Sequence, residues 1–199
     1  MTRPFRQQID ASILDQAAAL FARRGIAKTS VQEVADAVGL SKTGLLHHFP
    51  SKEALREAVI AQASGLGRLA VDQVKDLPVG PERDRRAVET FVDIALAHPG
   101  LVALLLAPVM QGSSGPLDPK LHGIGGDAFL AFGVDPTAPS SERSVRVAGS
   151  LAALAVLSIA AHHDDRTSAW RSHIVATCFD ALGHGRPGAP RSTSDQPED

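Results

Sequence analysis

Apolar residues recur along this chain with the three-to-four-residue rhythm of helices, and no segment alternates as a half-buried strand does. From Gln7 to Arg24, the residues Ile9, Ile13, Ala17, Leu20 and Phe21 make one stripe, which Gly25 closes. Ser30 opens "SVQEVADAV" with Glu33 three positions later, the spacing of a capping box, and Gly39 ends that short helix after about two turns. Ser41 is the next N-cap, with Leu40 and Leu45 placed as a staple across it. Phe49-Pro50 stops this second short helix, because the residue before proline disfavours the α region. Ser51 caps a longer helix carrying Leu55, Val59, Ala63, Leu66 and Leu69, and Gly65 and Gly67 predict a bend in its middle.

Beyond "DLPVGPERD" the apolar segments lengthen. Pro81 to His98 reads as a helix with Val88, Phe91, Val92 and Ala95 on one face. Pro99-Gly100 breaks it, and Leu101 to Gln111 follows as a largely buried helix. The loops "GSSGPLDPK" and "GVDPTAPSS" flank a helix over Lys120 to Phe132 that Gly123, Gly125 and Gly126 interrupt. Ser141 to His163 is long and apolar almost all round, and Ser168 to Leu182 is amphipathic with Trp170, Ile174 and Cys178 in register. The Gly/Pro/Ser composition after Gly183 predicts a disordered tail. The expectation is an all-α chain of about nine helices. Residues 1–52 form a three-helix amino-terminal domain, 53–183 a helical body and 184–199 the tail.

Bulk composition narrows the class. A chain of 199 residues that is 44% hydrophobic can bury a real core. Its first sixty residues hold eight Lys/Arg against six Asp/Glu, whereas the remainder carries a net charge of −4. The positive potential therefore sits at the amino end. Cys178 stands alone, which excludes an intrachain disulfide and a CxxC metal site and suits the cytoplasm. "MTRPFRQQID" lacks the apolar run of a signal peptide. "LVALLLAPVM" and "LAALAVLSIAA" are shorter than a bilayer span, so neither a membrane partner nor a cofactor is expected.

Two short helices joined by a tight turn, after a longer first helix, have the layout of a helix-turn-helix. Ala35 is small where the helices would cross, and Gly39 occupies the turn position that commonly needs a positive φ. At about 100° per residue, an inward Leu45 leaves Thr43 and His47 pointing almost directly away, with Gly44 and Leu46 on the flanks. His48 then leans toward the domain's own core. Lys42 falls in the first turn, where the helix dipole favours a phosphate. This face is small, polar and cationic enough to enter a major groove. Adjacent helical histidines diverge, so His47-His48 does not make a metal site, and a solvated helix end explains "AHHDDR" without a metal. No GxSxG, HExxH, dinucleotide or P-loop pattern supports an enzyme.

From Gln7 to Leu55, including "LFARRG" and "TSVQEVADAVGLSKTGLLHHFPSKEAL", the chain resembles the DNA-binding part of the tetracycline-repressor (TetR) family of bacterial regulators. The resemblance implies a homodimer in which Gln32, Ser41, Lys42, Thr43 and His47 contact a double-stranded DNA operator, and Ser30 and Lys52 contact its phosphates. The family usually has Tyr where this chain has Leu46, so Leu46 is assigned a thymine methyl or a sugar instead. In the family pattern the last two helices pair with their copies. Leu151, Leu154, Val156, Trp170 and Ile174 are the interface or core candidates. A small-molecule effector would sit among the middle helices, lined by Phe91, Met110, Phe129 and Phe132 with His98 as a polar contact. The rival reading is a helical dimeric ligand-binding or interaction protein without specific DNA binding, which leaves the amino-terminal motif unexplained.

Overall fold

A computed structural model describes residues 3–110, 119–138 and 140–184. Among these lie nine α-helices, the fold class expected. They are α1 (Arg3–Arg24), α2 (Val31–Ala37), α3 (Lys42–His48), α4 (Lys52–Asp72), α5 (Pro81–Ala97), α6 (Pro99–Met110), α7 (Pro119–Ala131), α8 (Glu142–His163) and α9 (Thr167–Phe179). A π-helical turn over Asp180–His184 follows α9. The sequence tail from residue 185 lies outside the described residues.

Local chemistry starts and stops these helices. Ser30, Ser41, Ser51 and Ser141 each accept the backbone amide three residues on, satisfying a donor that has no partner within the helix. Ser30 with Glu33, and Ser141 with Ser144, close full capping boxes. Gly39 takes φ +70 in the turn between α2 and α3, where a side chain would be strained. Pro99 opens α6 two residues ahead of the expected start, since a first helical position needs no amide.

Packing divides the buried residues between two clusters. Ile13, Ala17 and Phe21 of α1 meet Val34 and Ala35 of α2, Leu45 of α3, and Leu55 and Val59 of α4. The same cluster reaches Leu101 and Leu104 of α6, so α1 lies directly on the helical body. The second cluster joins Val88, Val92, Phe132, Val147, Ile174 and Cys178. α4 runs as one helix through Gly65 and Gly67. Gly67 is buried, and Asp127 of α7 approaches the space a Cβ would fill to 3.1 Å, so the glycine serves close packing of α4 on α7.

The helical body has a sharp corner and one long apolar helix. α5 and α6 meet at 103°, with His98 as the elbow. α8, at 22 residues, is long and apolar enough to cross a bilayer by length and composition, which the shorter apolar stretches of the sequence do not suggest. One side of it packs on α5, α6 and α9, and only 33% of its most apolar window is buried.

Candidate functional site

The two short helices present a polar face on a fixed base. Leu45 is wholly buried and anchors α3, leaving Ser41, Lys42, Thr43 and His47 exposed and Leu46 half-buried beside them. Ser30, just before α2, is exposed, and Gln32 is exposed on α2 itself. His47 and His48 part company as the helical geometry requires. His48 turns inward, its Nδ1 lying 2.5 Å from Asp10 Oδ1 on α1. Gln32 donates to Asp36 Oδ1 at 2.7 Å, and Ser30 is held in its capping box. Glu33 also pairs with Arg24 of α1. The Ser30 amide, then its hydroxyl, and more weakly the Arg24 charge, hold the Glu33 carboxyl below its ordinary value.

Lys52 is placed differently from the other cations. Its Nζ donates to the carbonyls of Ile26 and Ala27, both at 3.2 Å, tying the start of α4 to the turn after α1. The ammonium has a third donor left over, but its first work is structural. No group of three metal-ligating side chains exists among the described residues.

A cavity of about 420 Å³ lies between α4, α5, α6, α7 and α8. Its wall includes Leu66, Phe91, His98, Leu105, Phe129 and Leu151, and it is almost wholly apolar. Of the candidate ligand contacts, Phe91, His98 and Phe129 line it. Phe132 does not. It is fully buried in the second cluster and stacks behind Phe91 with ring centroids 6.0 Å apart. An apolar residue at helical spacing fits a core as well as a pocket, and Phe132 belongs to the core. The Met110 side chain lies outside the described residues.

The candidate interface residues also separate. Leu154 and Ile174 are buried in the chain's own core, Leu151 and Trp170 are half-buried, and Val156 is 55% exposed. Beside Val156, the residues Val145, Ala148, Gly149 and Ala152 continue an exposed apolar stripe down α8.

Sequence reasoning missed two structural groups. Asp15 of α1 accepts the amides of Gly100 and Leu101, each at 3.1 Å, and so caps α6 from another helix. Asp84, with no exposure, receives both Arg143 Nη atoms at 3.1 and 2.8 Å and faces His184 Nε2 at 2.7 Å. An aspartate in register with buried Ala87 and Val88 was the available signal for the second. Nothing local marks Asp15, because its partners lie 85 and 86 positions away.

The segment that carries this polar face has known relatives. Residues 13–59 match the family model of bacterial regulatory proteins, tetR family. Over 48 residues the chain is 46% identical to the HTH-type transcriptional repressor KstR2 of Rhodococcus jostii, covering 24% of each chain. It is 34% identical over 92 residues to an HTH-type transcriptional regulator of Mycobacterium tuberculosis, covering 46% of each. The matched part thus spans between 24% and 46% of the length of these relatives. A TetR-like transcriptional regulator from Rhodococcus sp. RHA1 shares the fold with TM-score 0.52 and 20% identity, over 94% of this chain and 100% of that one. The region of α1 to α3 thus carries the motif of bacterial regulatory proteins of the tetR family, and the helical body follows the fold of a solved TetR-like regulator.

Proposed function

We propose that the chain represses transcription by binding a palindromic DNA operator as a homodimer, and that a small molecule in the cavity between α4 and α8 releases it. The observation that carries this reading is the exposed face of α3, where Lys42, Thr43 and His47 stand clear of a helix anchored by buried Leu45. Lys42 meets phosphate at the positive end of the helix, while Thr43 and His47 hydrogen-bond to base edges. Leu46, half-buried at the margin, contributes an apolar contact of the kind a thymine methyl accepts.

The exposed stripe from Val145 to Val156 supports dimerisation through α8, because a contiguous apolar stripe on a long helix favours a partner surface. Two copies would set their α3 helices about 34 Å apart, one DNA turn. An effector that favours another spacing shifts the equilibrium toward the unbound form. The test is selection of genomic fragments by the purified chain at moderate salt, with its mass measured by sedimentation. An enriched inverted repeat bound by a dimer is expected, and no specific duplex retained would overturn the reading.

A further inference from the structure

The cavity's lining constrains what it can hold. Among the described residues, no Lys, Arg, Asp or Glu lines it, and its wall is built from aliphatic and phenyl side chains. Among the described residues of that wall, His98 is the one whose side chain can make a strong hydrogen bond. Its imidazole has no partner among the described residues, although it is half-buried at the α5–α6 elbow. A charged group carried into this space would lose its water without meeting an opposite charge, which costs several kcal/mol. An oxygen of a neutral molecule would meet a ring nitrogen able to donate or accept.

We propose that the cavity binds a neutral, mainly hydrocarbon molecule carrying a single hydroxyl or carbonyl oxygen, and that His98 reads that oxygen. The inference rests on the regulator reading only for its consequence, release of DNA. The binding itself is a property of the cavity.

The position of His98 gives the contact a route outward. Its backbone amide closes α5 on the Ile94 carbonyl at 2.9 Å, and its own carbonyl accepts from Val102 at 3.2 Å in the first turn of α6. Two residues later, Gly100 lies against Asp15 of α1. A ligand held by His98 therefore bears on the residue that sets the start of α6, next to the helix that carries the DNA-facing domain.

The experiment uses the full chain and the fluorescent probe N-phenyl-1-naphthylamine, displaced by decane, 1-decanol or decanoate at mildly alkaline pH. Decanol should displace the probe about fivefold to tenfold better than decane, the effect of one added hydrogen bond. Decanoate should be weaker than decanol by about a hundredfold, since its charge stays unpaired. His98→Leu should abolish the preference for decanol over decane, and His98→Gln, which can still hydrogen-bond, should restore part of it. Ala128→Trp, which fills the cavity from α7, should weaken all three ligands while circular dichroism shows the helices intact. Decanoate binding as tightly as decanol, or an undiminished decanol preference in His98→Leu, would overturn the proposal. Operator retention by the ligand-free protein is scored separately. Loss of that alone removes the regulator reading and leaves the ligand assignment standing.

Discussion

Asp15 and Gly100 are joined twice over. The Asp15 carboxylate accepts the Gly100 amide at 3.1 Å, and the Asp15 backbone carbonyl oxygen stands where a Gly100 Cβ would collide with it. The first contact satisfies a donor at the start of α6 and places a negative charge at its positive end. The second means that α1 and α6 approach as closely as they do only because residue 100 has no side chain. A body helix that walls the cavity is thus locked to the first helix of the amino-terminal domain.

That lock predicts two stability effects of different origin. Asp15→Ala leaves two amides of α6 without their cap and should cost about 1 kcal/mol, as other cap removals do. Gly100→Ala must push the helices apart and should cost roughly 1–3 kcal/mol by overpacking. Urea unfolding of both variants checks this, and a Gly100→Ala protein as stable as the parent would contradict the close approach.

Glu33 predicts an acid-sensitive amino-terminal domain. Its folded pKa is lowered from the ordinary 4.5, chiefly by the Ser30 amide and hydroxyl. A lowered pKa means the ionised form is favoured by folding. The stabilisation is therefore present above the unfolded value and lost as pH falls through the folded one. Glu33→Gln keeps a capping side chain without the charge. The wild type should be more stable than this variant at about pH 7, with the gap closing on titration to about pH 3. A constant gap across that range would rule out the ionised capping box as its source.

Much of this architecture was legible in the sequence, and the reason is local. Ser30, Ser41 and Ser51 cap through contacts three residues long, and Gly39 supplies its turn unaided. Placing Leu45 inward was enough to put Thr43 and His47 outward, because helical geometry fixes their relative directions. What failed depends on distant neighbours. Phe132 and Phe91 share a helical character in sequence, and only the packing of α5 against the end of α7 decides which faces the cavity. Lys52 takes a further, structural role that only its distant partners reveal, because the turn after α1 sets two carbonyls beside it.

The proposed DNA face predicts a contrast between two lysines. Lys42 is exposed, so Lys42→Ala should weaken operator binding, leave thermal stability unchanged, and reduce the salt slope of the affinity by about one. His47→Ala should weaken binding without unfolding the protein. Lys52→Met should lower stability, because the Ile26 and Ala27 carbonyls lose their donor. Mobility-shift titrations at several salt concentrations, paired with melting curves, separate these cases. Unchanged affinity in both Lys42→Ala and His47→Ala would sink the assigned face.

Cys178 should be inert while the chain is folded. It is fully buried, its thiol donates to the Ser150 carbonyl at 3.5 Å, and Ser150 Oγ returns a hydrogen bond to the Cys178 carbonyl at 3.0 Å. Burial pushes the thiol from 9.0 up to about 11, so almost none is thiolate near neutral pH. Ellman's reagent should react slowly with native protein and fast in urea. Rapid native labelling would show that α8 and α9 open at this pair.

The Asp84 cluster predicts the largest single loss of stability. Asp84 is wholly buried and binds Arg143 through both oxygens, while Arg143 Nη2 also donates to the Phe132 carbonyl at 2.6 Å. His184 approaches the same carboxylate from the turn after α9, so one buried charge links α5, α8 and the end of the described chain. Asp84→Leu leaves the Arg143 charge without its counterion. Breaking a buried pair on one side costs about 3–5 kcal/mol, and partial solvent access at Arg143 lowers the expectation to roughly 2–4 kcal/mol. The double variant Asp84→Leu, Arg143→Met removes both charges, so it should recover part of that loss instead of adding to it. His184→Ala should cost less than Asp84→Leu, because Arg143 still neutralises the carboxylate. Urea unfolding of the four proteins in the Asp84–Arg143 cycle measures the coupling, and strictly additive losses would mean that the two charges do not depend on each other.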